Sequence, residues 1–190
     1  MSYAFKIGID NNNHMYEDLQ VSISNIRIPV SNAPTERLYD CGIPGGVTFP
    51  FLGFDVNNYI YFDLQTSHGM KLNTILDSHI HYTLPNTTDI GDRFQFKIDV
   101  IVAGINSQWN VPSGSPFTAE FQVAANDNTY HRLADIADIT ASNTTISTIY
   151  KCKFTRIAAT IDEYASEIYI SFIDSHYPKN SIGSRTESSK

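Results

Sequence analysis

At 190 residues, with 42% apolar and 12% aromatic side chains, the chain is long and apolar enough to close a hydrophobic core, which sets disorder aside. A net charge of −7 with no run of Lys or Arg argues against nucleic acid, and no apolar stretch approaches the ~20 residues of a membrane helix. Only 17% of residues are charged, a sparse coating that suits a protein held inside an assembly.

Residues 1–15 read as an N-terminal arm. Tyr3, Phe5, Ile7 and Ile9 alternate with small or polar residues until Asp10-Asn11-Asn12-Asn13 breaks the pattern. Such an arm either pairs with a neighbouring subunit's sheet edge or lies on its own domain. The opening residues show no basic segment followed by an apolar one, so no secretion signal is expected. Cys41 and Cys152 form no redox or metal motif and read as small buried or interface side chains. Asn86-Thr87-Thr88 and Asn143-Thr144-Thr145 match the glycosylation pattern but carry little weight without secretion.

Residues 16–178 read as the β-sandwich domain. Leu19, Val21 and Ile23 keep a period of two, and Ile26 and Ile28 are shifted by one, which suggests a bulge or turn near Asn25. Residues 31–46 are a connection; Pro29, Pro34 and Pro44 bar it from the middle of a sheet. Residues 47–54 resume an apolar, strand-like run. Residues 59–84 read as two strands joined by a loop. Ile60, Phe62 and Leu64 share one side of the first. In the second, Leu76, Ile80, Tyr82 and Leu84 share the apolar side, while Asp77, His79, His81 and Thr83 share the other.

Phe94, Phe96, Ile98, Val100 and Val102 give the cleanest alternation in the chain. A loop over 104–116 follows and carries Trp109, either an exposed contact or a ring folded back on the sheet. Residues 131–140 are open between a helical turn and an extended segment, because Leu133, Ile136 and Ile139 recur every third position. Ile146, Tyr150, Cys152 and Phe154 mark the next strand. Ile168, Ile170 and Phe172 begin the last, which runs to about Tyr177, and residues 179–190 form a polar C-terminal tail. Many short strands without a long helical period make an all-β fold, an antiparallel β-sandwich of jelly-roll type.

Asp-Ser-His occurs at 77–79 and again at 174–176, which invites a hydrolase reading. Strand geometry rejects it, since Ser78 and His79 leave opposite faces and no nucleophile elbow is present. The stronger candidate is a metal pair. His79 and His81 stand at i and i+2 with Cα atoms roughly 6.6 Å apart, Asp77 shares their face, and His68 or His176 can approach in the fold. The competing reading is a polar strand face wetted by solvent or packed at a subunit contact. A meeting of three chains there would make a ring of imidazoles able to bind an ion or render assembly pH-sensitive. The carboxylate pairs Asp135/Asp138 and Asp162/Glu163 lack the spacing of a calcium loop and read as solvated surface.

The order of short motifs resembles a family of small proteins encoded among the virion structural genes of tailed bacteriophages. The residues that carry the likeness are Tyr16-Glu17-Asp18-Leu19, the segment from Tyr61 to Gln65, Ser67-His68-Gly69-Met70-Lys71-Leu72-Asn73-Thr74, Asp77-Ser78-His79-Ile80-His81-Tyr82, Asp174-Ser175-His176-Tyr177 and Ile182-Gly183-Ser184-Arg185. Family members show QxPHxxKxGT, PHxHW and FHY…GSR at these places; here Ser67 and Ser78 stand for prolines and Tyr82 for tryptophan. The resemblance implies a jelly-roll-like virion component without catalysis or cofactor. Its expected role is capsid decoration (cement) or head fibre, working as a homo-oligomer, a trimer, against other virion proteins. Trp109, His68, His176 and Tyr82 are the expected contact residues, with His79 and His81 the candidate metal pair. The alternative is a glycan-binding module that recognises a host surface through the Trp109 loop and exposed Tyr and Asp. A cupin-like metalloenzyme built on His79 and His81 ranks last.

Overall fold

The computed structural model describes residues 15–21, 26–140 and 147–179. Nearly all of the expected arm and of the tail, the irregularity near Asn25, Asn143 and Ile146 lie outside them. The described residues contain ten strands and no helix, hence none that could cross a membrane. In chain order these are β1 (Met15–Asp18), β2 (Thr35–Tyr39), β3 (Phe49–Phe54), β4 (Tyr59–Gln65) and β5 (Leu76–Thr83). They continue with β6 (Arg93–Ala103), β7 (Phe117–Gln122), β8 (Arg132–Ile139), β9 (Ile149–Ile157) and β10 (Ile168–Lys179).

The strands form two antiparallel sheets. The first has the order β2-β3-β10-β5-β8, with β1 also on β10; the second runs β4-β9-β6-β7. From β3 to β6 the chain changes sheet at every strand, and after the β6–β7 hairpin it does so again through β10. That order is a jelly roll, an antiparallel sandwich of two Greek keys.

The alternation that marked the strands also builds the core. Ile60, Phe62 and Leu64 of β4, Phe94 to Val102 of β6, and Tyr150, Cys152 and Phe154 of β9 meet Leu76, Ile80 and Tyr82 of β5. Phe96 stacks on Phe154 with ring centroids 4.5 Å apart, and Phe54 meets Phe154 edge-on at 5.5 Å. Arg156, at the end of β9, is fully buried and acts as a staple. It donates to the carbonyls of Phe54 (2.8 Å) and Ser166 (2.6 Å) and pairs with Glu163 at 2.6 Å, fastening the loop before β10 to β3.

Three segments differ from their sequence pattern for identifiable reasons. The proline-rich connection contains β2, which pairs only with β3 among the described residues and so sits at a sheet edge. Residues 132–139 are a strand. Ile136 is an extra residue opposite the Ser78/His79 step, so Ile136 and Ala137 both turn inward and Ile139 follows Ile136 by three on the core side, whereas Leu133 is exposed and its place in the spacing of three is coincidental. A second bulge, at Ser171, shifts the phase of β10: Ile168 and Ile170 face the core, then Ile173, while Phe172 lies on the outside against His81.

Candidate functional site

The two Asp-Ser-His tripeptides, ninety-seven positions apart, are hydrogen-bonded neighbours. In the β5–β10 ladder Asp77 faces His176, Ser78 faces Ser175 and His79 faces Asp174, a local two-fold arrangement centred on the serines. Period-two geometry then sorts them. The serines point into the sandwich and bond to each other through their hydroxyls at 2.7 Å, and the acids and imidazoles gather on the outer face. Ser78 is thereby turned away from His79.

On that outer face four imidazoles meet several carboxylates. His79 Nε2 lies 3.1 Å from His176 Nε2 and 3.3 Å from Asp174 Oδ1. His81 Nε2 is also 3.3 Å from Asp174 Oδ1, and its Nδ1 is 2.6 Å from His131 Nε2. From β1, Asp18 reaches His176 Nε2 at 2.8 Å. Although the face is turned away from the core, His79 is only 2% exposed and Asp174 3%. The ring of Phe172 stacks on His81 at 3.9 Å and contributes to this shelter.

Burial sets the electrostatics. Desolvation holds His81 below the usual imidazole range, and the positive charge that His131 and His79 can carry pushes the same way, against the pull of Asp174. Burial likewise raises the Asp77 carboxyl, helped by Asp135 and Asp138 and opposed by His79 and His176. His79 Nδ1 is buried and has no hydrogen-bond partner among the described residues; Asp77 and Asp135 each hold an oxygen 3.8 Å from it.

The other expected residues are dispersed. His68 bonds to Ser147 Oγ at 2.9 Å, in the loop after β4. Tyr82 is in the core with its ring edge-on to Phe94 at 5.3 Å, and burial pushes its hydroxyl up to about 12. Trp109 is half exposed on the β6–β7 loop, with Lys151 Nζ 5.9 Å from its ring centroid. The sequence reading missed Asp18, His131 and the role of Asp174. The repeated tripeptide was the one available signal for Asp174.

Sheet β4-β9-β6-β7 presents a different outer face. Tyr59 and Tyr61 meet edge-on at 5.4 Å, Lys153 Nζ sits 4.1 Å above the Tyr59 ring, and Lys151 pairs with Asp63 at 2.8 Å. A cleft of about 450 Å³ beside them is lined by Tyr61, Asp99, Ile101, Val111, Lys151 and Lys153, among others.

No protein-family model matches the chain, and no curated protein matches it significantly. Among solved structures, the insecticidal delta-endotoxin Cry8Ea1 of Bacillus thuringiensis is similar over 87% of this chain, with 14% identity and a TM-score of 0.45. The chain spans about a quarter (24%) of the endotoxin's length. TmCBM61, solved in complex with β-1,4-galactotriose, is similar over 87% of this chain and 88% of its own, with 12% identity and a TM-score of 0.27. Both scores fall below 0.5, so the jelly-roll assignment rests on the strand order itself.

Proposed function

We propose that this jelly roll is a structural component of a tailed-bacteriophage virion, a homotrimer that decorates the capsid as a cement or head-fibre protein and works by contact. The observation that carries the reading is the apolar hairpin at the sheet edge. Leu38 of β2 and Phe49 of β3, with Ile43 and Val47 of the turn between them, leave 59–74% of their surface in water. Large apolar side chains clustered on an edge strand and its turn favour burial against another chain. Gly42 fixes the turn's shape: it adopts φ +68°, and a Cβ there would lie 2.8 Å from Thr129 Cγ2. The low charge content and the short virion-family motifs support the same reading.

Native mass measurement tests it. The expected result is a trimer that co-sediments with capsids, and a shift to monomer in the double variant Leu38→Glu, Val47→Glu. A wild-type protein that stays monomeric at micromolar concentration and leaves the particle unbound would overturn it.

A second reading, binding of host-surface glycan, is favoured by the outer face of β4-β9-β6-β7. Half-exposed aromatic rings at Tyr61 and Trp109 beside Asp63, Asp99, Lys151 and Lys153 combine stacking planes with hydrogen-bonding groups, the chemistry that a sugar's apolar and hydroxylated faces require. Retention on a glycan array that disappears in Trp109→Ala and Tyr61→Ala supports it; an array without signal removes it.

A further inference from the structure

We infer that the paired Asp-Ser-His motifs build a binding site for one divalent transition cation of the Zn²⁺ class, with His79, His176, Asp174 and Asp18 as ligands. The site is independent of the assembly reading.

The donor spacing is the first support. Two ligands bound at 2.0–2.1 Å to a tetrahedral cation stand roughly 3.3 Å apart. His79 Nε2 and His176 Nε2 are 3.1 Å apart, His79 Nε2 and Asp174 Oδ1 3.3 Å, and His176 Nε2 and Asp18 Oδ1 2.8 Å. The other Asp174 oxygen is 3.9 Å from His176 Nε2. Two overlapping sets that share His176 each place one donor atom per residue within 4.8 Å of one another: Asp18, Asp174 and His176, and Asp77, His79 and His176.

The second support is independent of those distances. His79 is almost wholly buried, yet its Nδ1 has no hydrogen-bond partner among the described residues. Two carboxylates, Asp77 and Asp135, face that nitrogen at 3.8 Å. A cation on Nε2 requires the ring proton on Nδ1, where these two carboxylates stabilise it electrostatically. A carboxylate behind the distal nitrogen is the usual means by which proteins orient and strengthen an imidazole ligand. His81, bonded through Nε2 to Asp174 and through Nδ1 to His131, steadies the shared carboxylate in the same way.

Two imidazoles and two carboxylates suit Zn²⁺ or Co²⁺ better than Ca²⁺ or Mg²⁺, which prefer oxygen donors alone. Four protein ligands close the coordination sphere, so the ion's role is structural: it ties β1 to β5 and β10.

The test is titration of chelator-stripped protein with Zn²⁺ by calorimetry and with Co²⁺ by visible absorption. Expected are one equivalent per chain, the intense visible bands of four-coordinate cobalt, and a melting temperature that rises with Zn²⁺. His176→Ala and Asp18→Asn, both at partly exposed positions, should weaken binding at least tenfold and abolish the thermal shift. His68→Ala should change nothing. Absence of binding at 100 μM Zn²⁺, or binding that survives in His176→Ala, overturns the site.

Discussion

The two outer faces of the sandwich carry similar residue types under opposite conditions. On the β5–β10 face, His79, His81 and Asp174 are pressed together out of water, with His176, Asp18 and Asp77 at a wetter rim, and on the β4–β9 face, Asp63, Lys151 and Lys153 lie among Tyr59 and Tyr61 with solvent access. Burial makes the first face electrostatically strong and intolerant of loss, because an ionic group with no partner cannot fall back on water. Solvent makes the second face forgiving, because each charge removed leaves its partner hydrated. The difference separates a face whose buried groups hold one another from one whose groups stay open to solvent.

The comparison breaks most directly at Asp174, which is shared by His79 and His81. Asp174→Ala leaves both imidazoles facing an empty space, and the expected cost is about 3 kcal/mol in the metal-free protein by urea denaturation. A loss below about 1 kcal/mol would put this face in the same class as the exposed one. Beneath it, Ser78 and Ser175 satisfy each other inside the sandwich. Ser78→Ala orphans the Ser175 hydroxyl and should cost about 2 kcal/mol, while the double change to Ala should recover most of that loss. Additive losses in the denaturation cycle would show that the hydroxyls do not act as a pair.

Much of this was legible before the fold was known. Phe94 to Val102 and Ile60 to Leu64 announce themselves because a half-buried strand forces a period of two on its side chains. Polarity divided β5 into a core side and an imidazole side for the same reason. What stayed hidden depends on partners distant in sequence. No local pattern shows that residues 77–79 will pair with 174–176, so His176 stood only as an alternative to His68 and Asp174 was not assigned to His79 at all. The bulges at Ile136 and Ser171 are fitted to the opposing strand, and each shifts the alternation by one residue. Edge strand β2 was masked by the prolines around it, Pro34 just before it and Pro44 in the turn that follows, which barred the whole segment from a sheet centre but not from an edge.

Both faces rest on the same core, and its buried hydroxyls give a pH test. Burial raises the Tyr82 hydroxyl to about 12, with Asp127 adding to the rise and Arg132 opposing it. The neutral phenol is the form the fold prefers. Its contribution is therefore complete below the unfolded value near 10 and declines as pH climbs toward 12. Between pH 9 and 11.5 the wild type should lose about 1 kcal/mol more than Tyr82→Phe does, allowing for solvent near the ring. Parallel stability curves for the two proteins would remove Tyr82 from the alkaline transition.

The smallest expected effect sharpens the contrast from the other side. Lys151 and Asp63 face each other at 2.8 Å across β9 and β4, both more than a third exposed. Lys151→Ala, Asp63→Ala and the double variant should give a coupling energy of about 0.5 kcal/mol, falling further in 0.5 M salt as the pair is screened. If the pair exists for recognition, the same variants alter glycan or particle binding while the denaturation midpoint barely moves, because Lys151 also lies beside Trp109 and lines the cleft. A coupling of about 3 kcal/mol would instead make this face a second buried-type network, and the division between a buried face and a solvated one would fail.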